Sequence, residues 1–313
     1  MRPARRATRI ALEAVAAVSL LVSLLPFVAA QWWVFDLFTH FRLQLICVQL
    51  LLLIGLGLLA RSVWSPILAL LLGANLYASQ AYWLPDRSPD TIERDLRIMA
   101  ANVRAENEHA DGLLAQIDRE QPDVVAIVEF NASWAARLEP LHRTFPYRIE
   151  VPRADHFGIA LFARRPILGQ RLLDLDGTPA IDAEIDAASG VVRVVAVHLV
   201  PPMSQHAAAQ QRRQRTQLAR HVATGPRPLI VIGDLNMTPY SPNFAELLAP
   251  ADLHDALTGY GPRITWPTFL PLLGIPIDHC LLSSDWDSIA YRRQPAYGSD
   301  HFAIAVDLIE KAS

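Results

Sequence analysis

The apolar residues of this 313-residue chain are crowded into its first quarter. Residues 10–30 read IALEAVAAVSLLVSLLPFVAA and carry one charge, Glu13. Residues 43–60, LQLICVQLLLLIGLGLLA, and residues 63–84, VWSPILALLLGANLYASQAYWL, carry none. A bilayer core of about 30 Å takes roughly 20 apolar residues as helix, and each run comes close to that. Trp32, Trp33, Trp64, Tyr82 and Trp83 mark the run ends, as interfacial aromatics do. The pattern predicts three transmembrane helices, at about 10–30, 43–60 and 63–84. A cleavable signal peptide is the competing reading of the first run, with Arg2, Arg5, Arg6 and Arg9 as its basic flank. The length of that run and the two runs behind it argue against a signal peptide.

After residue 84 the pattern changes. Residues 85–96 are polar and proline-bearing, and read as a linker. Short runs rich in Val and Ile then alternate with amphipathic stretches. Strands are predicted at 96–101, 124–128, 157–162, 180–186, 191–197, 229–232, 280–282 and 302–308. Helices are predicted at 110–120, 133–141, 206–223 and 243–248. Segments 180–186 and 191–197 read as a hairpin closed by Ser189-Gly190. The mixture gives a layered α/β domain over residues 97–313.

Composition sharpens this division. Hydrophobic residues make up 52% and charged residues 19%, which excludes disorder, collagen and coiled coil. The mean hydropathy of +0.21 owes its sign to the first 84 residues. The formal charge of −3 hides an asymmetry: six of 28 basic and two of 31 acidic residues precede residue 85, leaving a net of −7 after it. An acidic domain is poorly suited to sequence-indifferent binding of nucleic acid. Cys47 and Cys280 fall in different parts, so no disulfide framework is expected. The N-terminal arginines place that end in the cytoplasm. An odd number of crossings then puts the domain outside, which describes a multi-pass protein of a bacterial inner membrane.

The most informative residues are polar ones at strand ends. Asn102, Glu129, His198, and Asp234 with Asn236, close predicted strands, whereas Asp278 and the pair Asp300–His301 open later ones. Strands running in opposite directions offer opposite ends to the same sheet edge. All eight residues can therefore converge on one rim, where open α/β sheets place their sites. Singly, each has a plain explanation: a turn cap for Asn102, an Asx turn for Asp234, an N-cap for Asp300, a core histidine for His198. Together their chemistry is specific. Asn102, Glu129 and Asp300 offer hard oxygen ligands suited to Mg²⁺ or Mn²⁺. No Cys cluster or paired-His spacing favours zinc. Histidines beside carboxylates supply a base, and Asn236 and His198 supply donors to phosphate oxygens. The set reads as hydrolysis of a phosphate ester.

The segments MAANVR, PDVVAIVEF, HFGIALFARRP, VAVHLVPP, VIGDLNMTPYS, TWP at 265–267, IDHCLL and GSDHFAIAVDL follow one another over about residues 96–309. In these the chain resembles the endonuclease/exonuclease/phosphatase superfamily. The resemblance implies a DNase I-like four-layer α/β/β/α sandwich behind the membrane helices. It implies that Asn102, Glu129 and Asp300 form the metal site, with Glu129 the principal ligand. His198 is then the histidine that contacts the scissile phosphate. Asp234 and Asn236 orient the attacking water and bind phosphate. Asp278 orients the catalytic His301. The base is either Asp234 or the Asp278–His301 pair; the pair is read as polarising and Asp234 as placing the water.

The fold does not choose a substrate. The stretch at 266–276 is apolar and leads into Asp278, and Ile277 stands where nuclease-like members often carry a basic residue. Exposed, this stretch would touch a membrane; alternatively Phe269, Leu270, Leu272 and Leu273 pack inward. Arg212, Arg213, Arg215 and Arg220 lie on one helix, which faces either a polyanion or solvent. The short linker holds the domain near the bilayer. The resulting expectation is a membrane-integral phosphohydrolase acting on a phospholipid or lipid-linked pyrophosphate, with no obligate protein partner evident. The alternatives are an extracytoplasmic nuclease acting on DNA or RNA, and a membrane-anchored binding domain without catalysis.

Overall fold

The computed structural model describes residues 3–59, 62–82, 93–187 and 190–311. The N-terminal part consists of α1 (Pro3–Leu24), α2 (Trp33–Thr39), α3 (Arg42–Leu59) and α4 (Trp64–Ser79). Helices α1, α3 and α4 meet through Ala16, Leu52, Leu56 and Leu68. A polar thread runs through the same interior. Gln49 donates to Ser19 Oγ at 3.1 Å and to Ser23 Oγ at 2.9 Å, and Asn75 donates to Gln49 Oε1 at 3.2 Å. Such pairs hold helices together where the surroundings are apolar.

The three expected spans need correction. Among the described residues one helical stretch, Ala4–Ala29, is long and apolar enough to cross a membrane. Helices α2 and α3 qualify only if counted as one span despite a 65° bend between them. Helix α4 has 16 residues, about 24 Å at 1.5 Å per residue, short of a bilayer core of roughly 30 Å. The run at 63–84 is not one helix: after Ser79 the chain tightens into a 3₁₀ turn at Gln80–Tyr82. Residues 83–84, and residues 85–92 of the expected linker, lie outside the described residues.

The second part begins with β1 (Leu96–Asn102), α5 (Ala110–Glu120), β2 (Val124–Val128), α6 (Ala132–Arg137), β3 (Tyr147–Val151) and β4 (Ile159–Ala163). It continues with β5 (Ile167–Leu175), β6 (Thr178–Ala187), β7 (Gly190–His198), α7 (Gln205–Ala223), β8 (Leu229–Asp234) and α8 (Pro242–Leu248). It ends with β9 (His254–Asp255), β10 (Asp278–Leu282), β11 (Trp286–Arg293) and β12 (Ile304–Glu310). One six-stranded sheet has the order β11-β12-β1-β2-β4-β3, the other β5-β6-β7-β8-β10-β9. Each holds one parallel pair, β1/β2 and β7/β8, bridged by α5 and α7 respectively; the other pairings are antiparallel.

The inner faces of the sheets pack together through residues such as Ile98, Ala126, Leu161, Ile181, Val194 and Ile232. Outside the first sheet, Met99 and Val125 meet Leu113 of α5 and Trp134 of α6. Outside the second, Val195 and Val231 meet Leu218 of α7 and Phe244 of α8. Both sheets are thus covered on both faces, and β2, with no polar residue in VVAIV, is buried throughout. The result is a mixed α/β sandwich in the four layers α/β/β/α, as expected. Helix α5 and strand β2 have the expected bounds. The hairpin forms as β6 and β7, although residues 188–189 of its turn lie outside the described residues. The predicted helix at 133–141 divides into α6 and a 3₁₀ turn at Glu139–Arg143.

Candidate active site

Strands β1, β2, β7 and β8 all end at one edge of the sandwich. Strand β12 runs against β1 and β10 against β8, so both begin at that edge. Register does the rest. His198 lies opposite Asp234, and Asp234 opposite Asp278, which sets three site residues in one row across β7, β8 and β10. The close approach of β7 and β8 depends on Gly233, whose φ is +139°; a Cβ there would lie 2.0 Å from Val197 O. Glu129 and Asn236 hold left-handed backbone, with φ of 59° and 48°. Non-glycine residues hold that conformation at a cost, typically where function needs it.

The structure brings all eight predicted residues to this edge. Asn102 is the hub: its Nδ2 donates to Glu129 Oε1 and to Asp234 Oδ2, each at 3.0 Å. Its Oδ1 accepts from Arg104 N at 3.0 Å, so it bridges two carboxylates as well as offering an oxygen. Glu129 Oε2 accepts from Ala105 N at 3.0 Å. Asp234 Oδ1 accepts from Asn236 N at 2.8 Å. Asp234 Oδ2 lies 3.6 Å from His198 Nε2 and 3.8 Å from His301 Nε2. On the far side of the ring, His301 Nδ1 donates to Asp278 Oδ2 at 2.9 Å. Asp300 accepts from Trp266 Nε1 at 3.1 Å. Asn236 Nδ2 donates to Leu199 O at 2.9 Å. Tyr297 and Ser299 both donate to Asn102 O, at 2.6 and 2.7 Å, which locks the end of β1.

Burial and neighbouring charge drive the titrating groups apart. Burial pushes the Asp234 carboxyl up, the negative Asp278 adds to this, and it reaches about 7. Burial disfavours a charged His301, but Asp278 and Asp234 outweigh it and raise the ring to about 10. His198 is pushed down to about 4, first by burial. At neutral pH the site therefore holds a cationic His301, a neutral His198 and an Asp234 poised to gain or lose a proton.

These groups form the floor of a cleft of about 520 Å³. Glu129, His198, Asp234, Asn236, Asp300 and His301 face it, while Asp278 sits behind His301. The walls are mostly apolar: Phe157, Pro201, Pro202, Met203, Trp266, Ile275 and Ile277, joined from the N-terminal part by Leu37 of α2 and by His40 and Phe41 between α2 and α3, with His40 a polar exception. No arginine or lysine lines the cleft among the described residues. The inward packing weighed for Phe269, Leu270, Leu272 and Leu273 does not occur, and the outward alternative holds for these four. Ile275 and Ile277 are buried, whereas Phe269, Leu270, Leu272 and Leu273 are exposed.

Sequence reasoning missed several contributors. His156 reaches Glu129 Oε2 with Nδ1 at 3.3 Å and lines the cleft, although it opens one of the matched segments. Its Nε2 is 3.5 Å from Glu106 Oε1. Thr265 Oγ1 accepts from Ile277 N and Asp278 N and so fixes the start of β10. The neighbouring His279 plays no part in the cleft: it is buried against Asp255 and Met237 O.

Residues 99–301 match the model of the Endonuclease/Exonuclease/phosphatase family. The chain belongs to the endonuclease/exonuclease/phosphatase family. It is accordingly a metal-dependent hydrolase of phosphate ester bonds. The family match begins after the N-terminal helices. An endonuclease/exonuclease/phosphatase from Beutenbergia cavernae DSM 12333 has a similar structure, with TM-score 0.57 and 22% identity over 70% of this chain and 72% of that one. The D. rerio TDP2 structure complexed with a single-strand DNA product gives 0.60 and 18% over 68% and 98%. Sphingomyelinase C from Streptomyces griseocarneus gives 0.54 and 17% over 68% and 98%. At these identities the likeness is one of fold. No curated protein matches the chain.

The side chains fit the divalent metal that the family uses. Hard carboxylate oxygens of Glu129 and Asp300 face the cleft. Glu106, Glu129 and His156 place one ligand atom each within 4.8 Å of one another, and so do Asp234, Asp278 and His301.

Proposed function

We propose that the chain is a membrane-attached hydrolase whose substrate joins a phosphate ester to a lipid, either a phospholipid or a lipid-linked pyrophosphate. The composition of the cleft carries this reading: an acid–imidazole floor lies under mostly apolar walls that hold no arginine or lysine. A nucleic-acid strand calls for cationic side chains along its backbone; an alkyl chain calls for apolar walls.

Glu129 and Asp300 would hold Mg²⁺ or Mn²⁺, with the Asn102 amide beside them. When bound, the ion supplies Lewis acidity toward the phosphoryl oxygens. Asp234 places the attacking water and accepts its proton, a task suited to a carboxyl near 7. His301, kept cationic and oriented by Asp278, offers Nε2–H to a phosphate oxygen. Neutral His198 contacts the scissile phosphate, and Asn236 fixes Asp234 through its backbone N–H.

Attachment would be through α1, the stretch apolar and long enough to cross a bilayer. Arg2, Arg5, Arg6 and Arg9 at its start favour a cytoplasmic N-terminus, which leaves the catalytic domain at the outer face of the bacterial inner membrane. The start of α3 meets the catalytic domain where Gln44 Nε2 donates to Gly274 O at 2.8 Å.

The second reading is a nuclease, favoured by the fold shared with the DNA-bound D. rerio TDP2. Two of the four arginines of α7 are engaged within the fold. Arg213 pairs with Asp176, and Arg215 is buried and donates to Asn243 O. The test is turnover by the purified chain with Mg²⁺ of polyprenyl pyrophosphate in detergent, plasmid DNA and bis-nitrophenyl phosphate. Release of phosphate from the lipid supports the proposal. Nicking of plasmid without phosphate release refutes it, and turnover of none of the three returns the chain to the binding-domain reading.

A further inference from the structure

The N-terminal helices are built into the catalytic cleft. Between α2 and α3 the chain turns at His40 and Phe41, and this elbow is bolted to the loop that follows β8. Asp36, which is buried, accepts at Oδ1 from Ser241 Oγ at 2.6 Å and at Oδ2 from Asn243 Nδ2 at 2.6 Å. His40 Nδ1 accepts from Thr238 N at 3.3 Å and lies 3.0 Å from Thr238 Oγ1. Thr238 and Ser241 come two and five residues after Asn236 of the catalytic floor. A mere tether needs no buried carboxylate, because an unpartnered one is costly to bury. Here the cost is offset by two hydrogen bonds, from Ser241 at the end of the catalytic loop and from Asn243 in the first turn of α8.

We infer that this elbow is the specificity wall of the site, and that Leu37 and Phe41 hold the first part of the alkyl chain of a phosphate ester whose head lies on the floor. The inference rests on the hydrolase reading above and adds to it the residues that select the substrate. Three observations lead to it. Leu37 and Phe41 line the same cleft as Asp234, His301, Met203 and Trp266. Phe41 is 43% exposed, so the wall continues out of the cleft to the surface. Phe269 and Leu272, 76% and 89% exposed, stand on the loop that the Gly274 carbonyl ties to Gln44 of α3. The apolar wall of the cleft thus reaches the surface at Phe41, three residues before the Gln44 that ties α3 to the loop bearing Phe269 and Leu272.

The test uses the full chain in detergent micelles with Mg²⁺ and two alkyl p-nitrophenyl phosphates, one with an ethyl and one with a hexadecyl chain. The wild type should favour the long chain in kcat/KM by at least tenfold. Leu37→Ser and Phe41→Ser should remove most of that preference, and Phe41→Leu should restore it. A second measurement does not depend on variants: a hexadecyl phosphate ester with a diazirine near its head should label the peptide containing residues 37–41 of the wild type. Hydrolysis of both esters with an unchanged preference in the serine variants, or labelling that avoids the elbow, overturns the inference and leaves the hydrolase reading standing. Hydrolysis of neither ester, nor of bis-nitrophenyl phosphate, overturns both.

Discussion

Asp234 and Asp307 are both shielded carboxylates on inner strands, β8 and β12, yet their affinities for a proton move in opposite directions. Burial opposes the charge of Asp307, but Arg97 and Arg292 outweigh it and hold the carboxyl at about 2. Arg97 reaches it with Nε, and with Nη2 at 2.8 Å; Arg292 reaches it with Nη1 at 2.9 Å and Nη2 at 2.8 Å. Arg292 also donates to Glu120 Oε2 at 3.0 Å. Every acid in that cluster has a guanidinium. Asp234 has none, and its nearest charged neighbours include a second acid, Asp278. The same residue type is a strut where cations are supplied, and a proton acceptor at neutral pH where they are withheld.

Four predictions press on this contrast. The largest effect should come from Asp234→Asn or His301→Ala, each lowering metal-dependent hydrolysis by roughly 10³-fold or more. Circular dichroism and the melting temperature should stay close to wild type. Near-full activity in either variant removes the assignment of the site.

Asp278→Asn comes next, with a loss of roughly 10²-fold and a distinctive pH signature. In the wild type kcat/KM should rise as Asp234 loses its proton through about 7 and fall as His301 loses its own toward about 10. Without Asp278, Asp234 is relieved of a negative neighbour and His301 loses its counterion, so both limbs should move to lower pH. A pH–rate profile with unmoved limbs would separate Asp278 from the chemistry.

At the other cluster Arg97→Met should cost about 2–4 kcal/mol of stability, because it strips one cation from a shielded acid. It should leave the pH–rate profile of the remaining folded enzyme in place. Urea unfolding and the profile together check both halves of that statement. The smallest effect is acid sensitivity. The Asp307 pKa is lower in the folded chain than its ordinary 3.8, so its contribution is complete above that value and is lost as the pH falls through about 2. The urea midpoint of Asp307→Asn should therefore change less than that of wild type between pH 4 and pH 2; equal changes would count against the strut.

Much of the catalytic domain was legible in the sequence. Central strands such as VVAIV are apolar because both faces are covered, and that local fact survives in the one-dimensional pattern. The polar residues that close them were legible for the same reason. The strands that escaped notice, β3, β5, β9 and β11, are the edge strands of the two sheets, where the pattern is weaker: β9 has two residues, and β5 shows Leu168 and Leu172 to solvent. The count of three spans failed because hydropathy measures apolar length and not where a helix stops or bends. The elbow was invisible for another reason. Asp36 finds its partner Ser241 across 205 residues, and no local pattern encodes such a pairing. Its only trace was an acid standing alone between two apolar runs.

Each sheet repeats one plan: a parallel pair bridged by a helix, flanked by antiparallel strands. The first sheet closes its pair on Asn102 and Glu129, the second on His198 and Asp234. Neither half owns a complete reaction centre; the centre exists only at the seam. The halves are therefore free to drift in their outer helices and edges, but not to slip at their centres. Side chains alternate across a strand, so a shift of one residue in β8 would turn Asp234 from the seam toward the outer face. Such a chain could keep its strands, its helices and much of its bulk while losing the one place where its two halves act as a single enzyme.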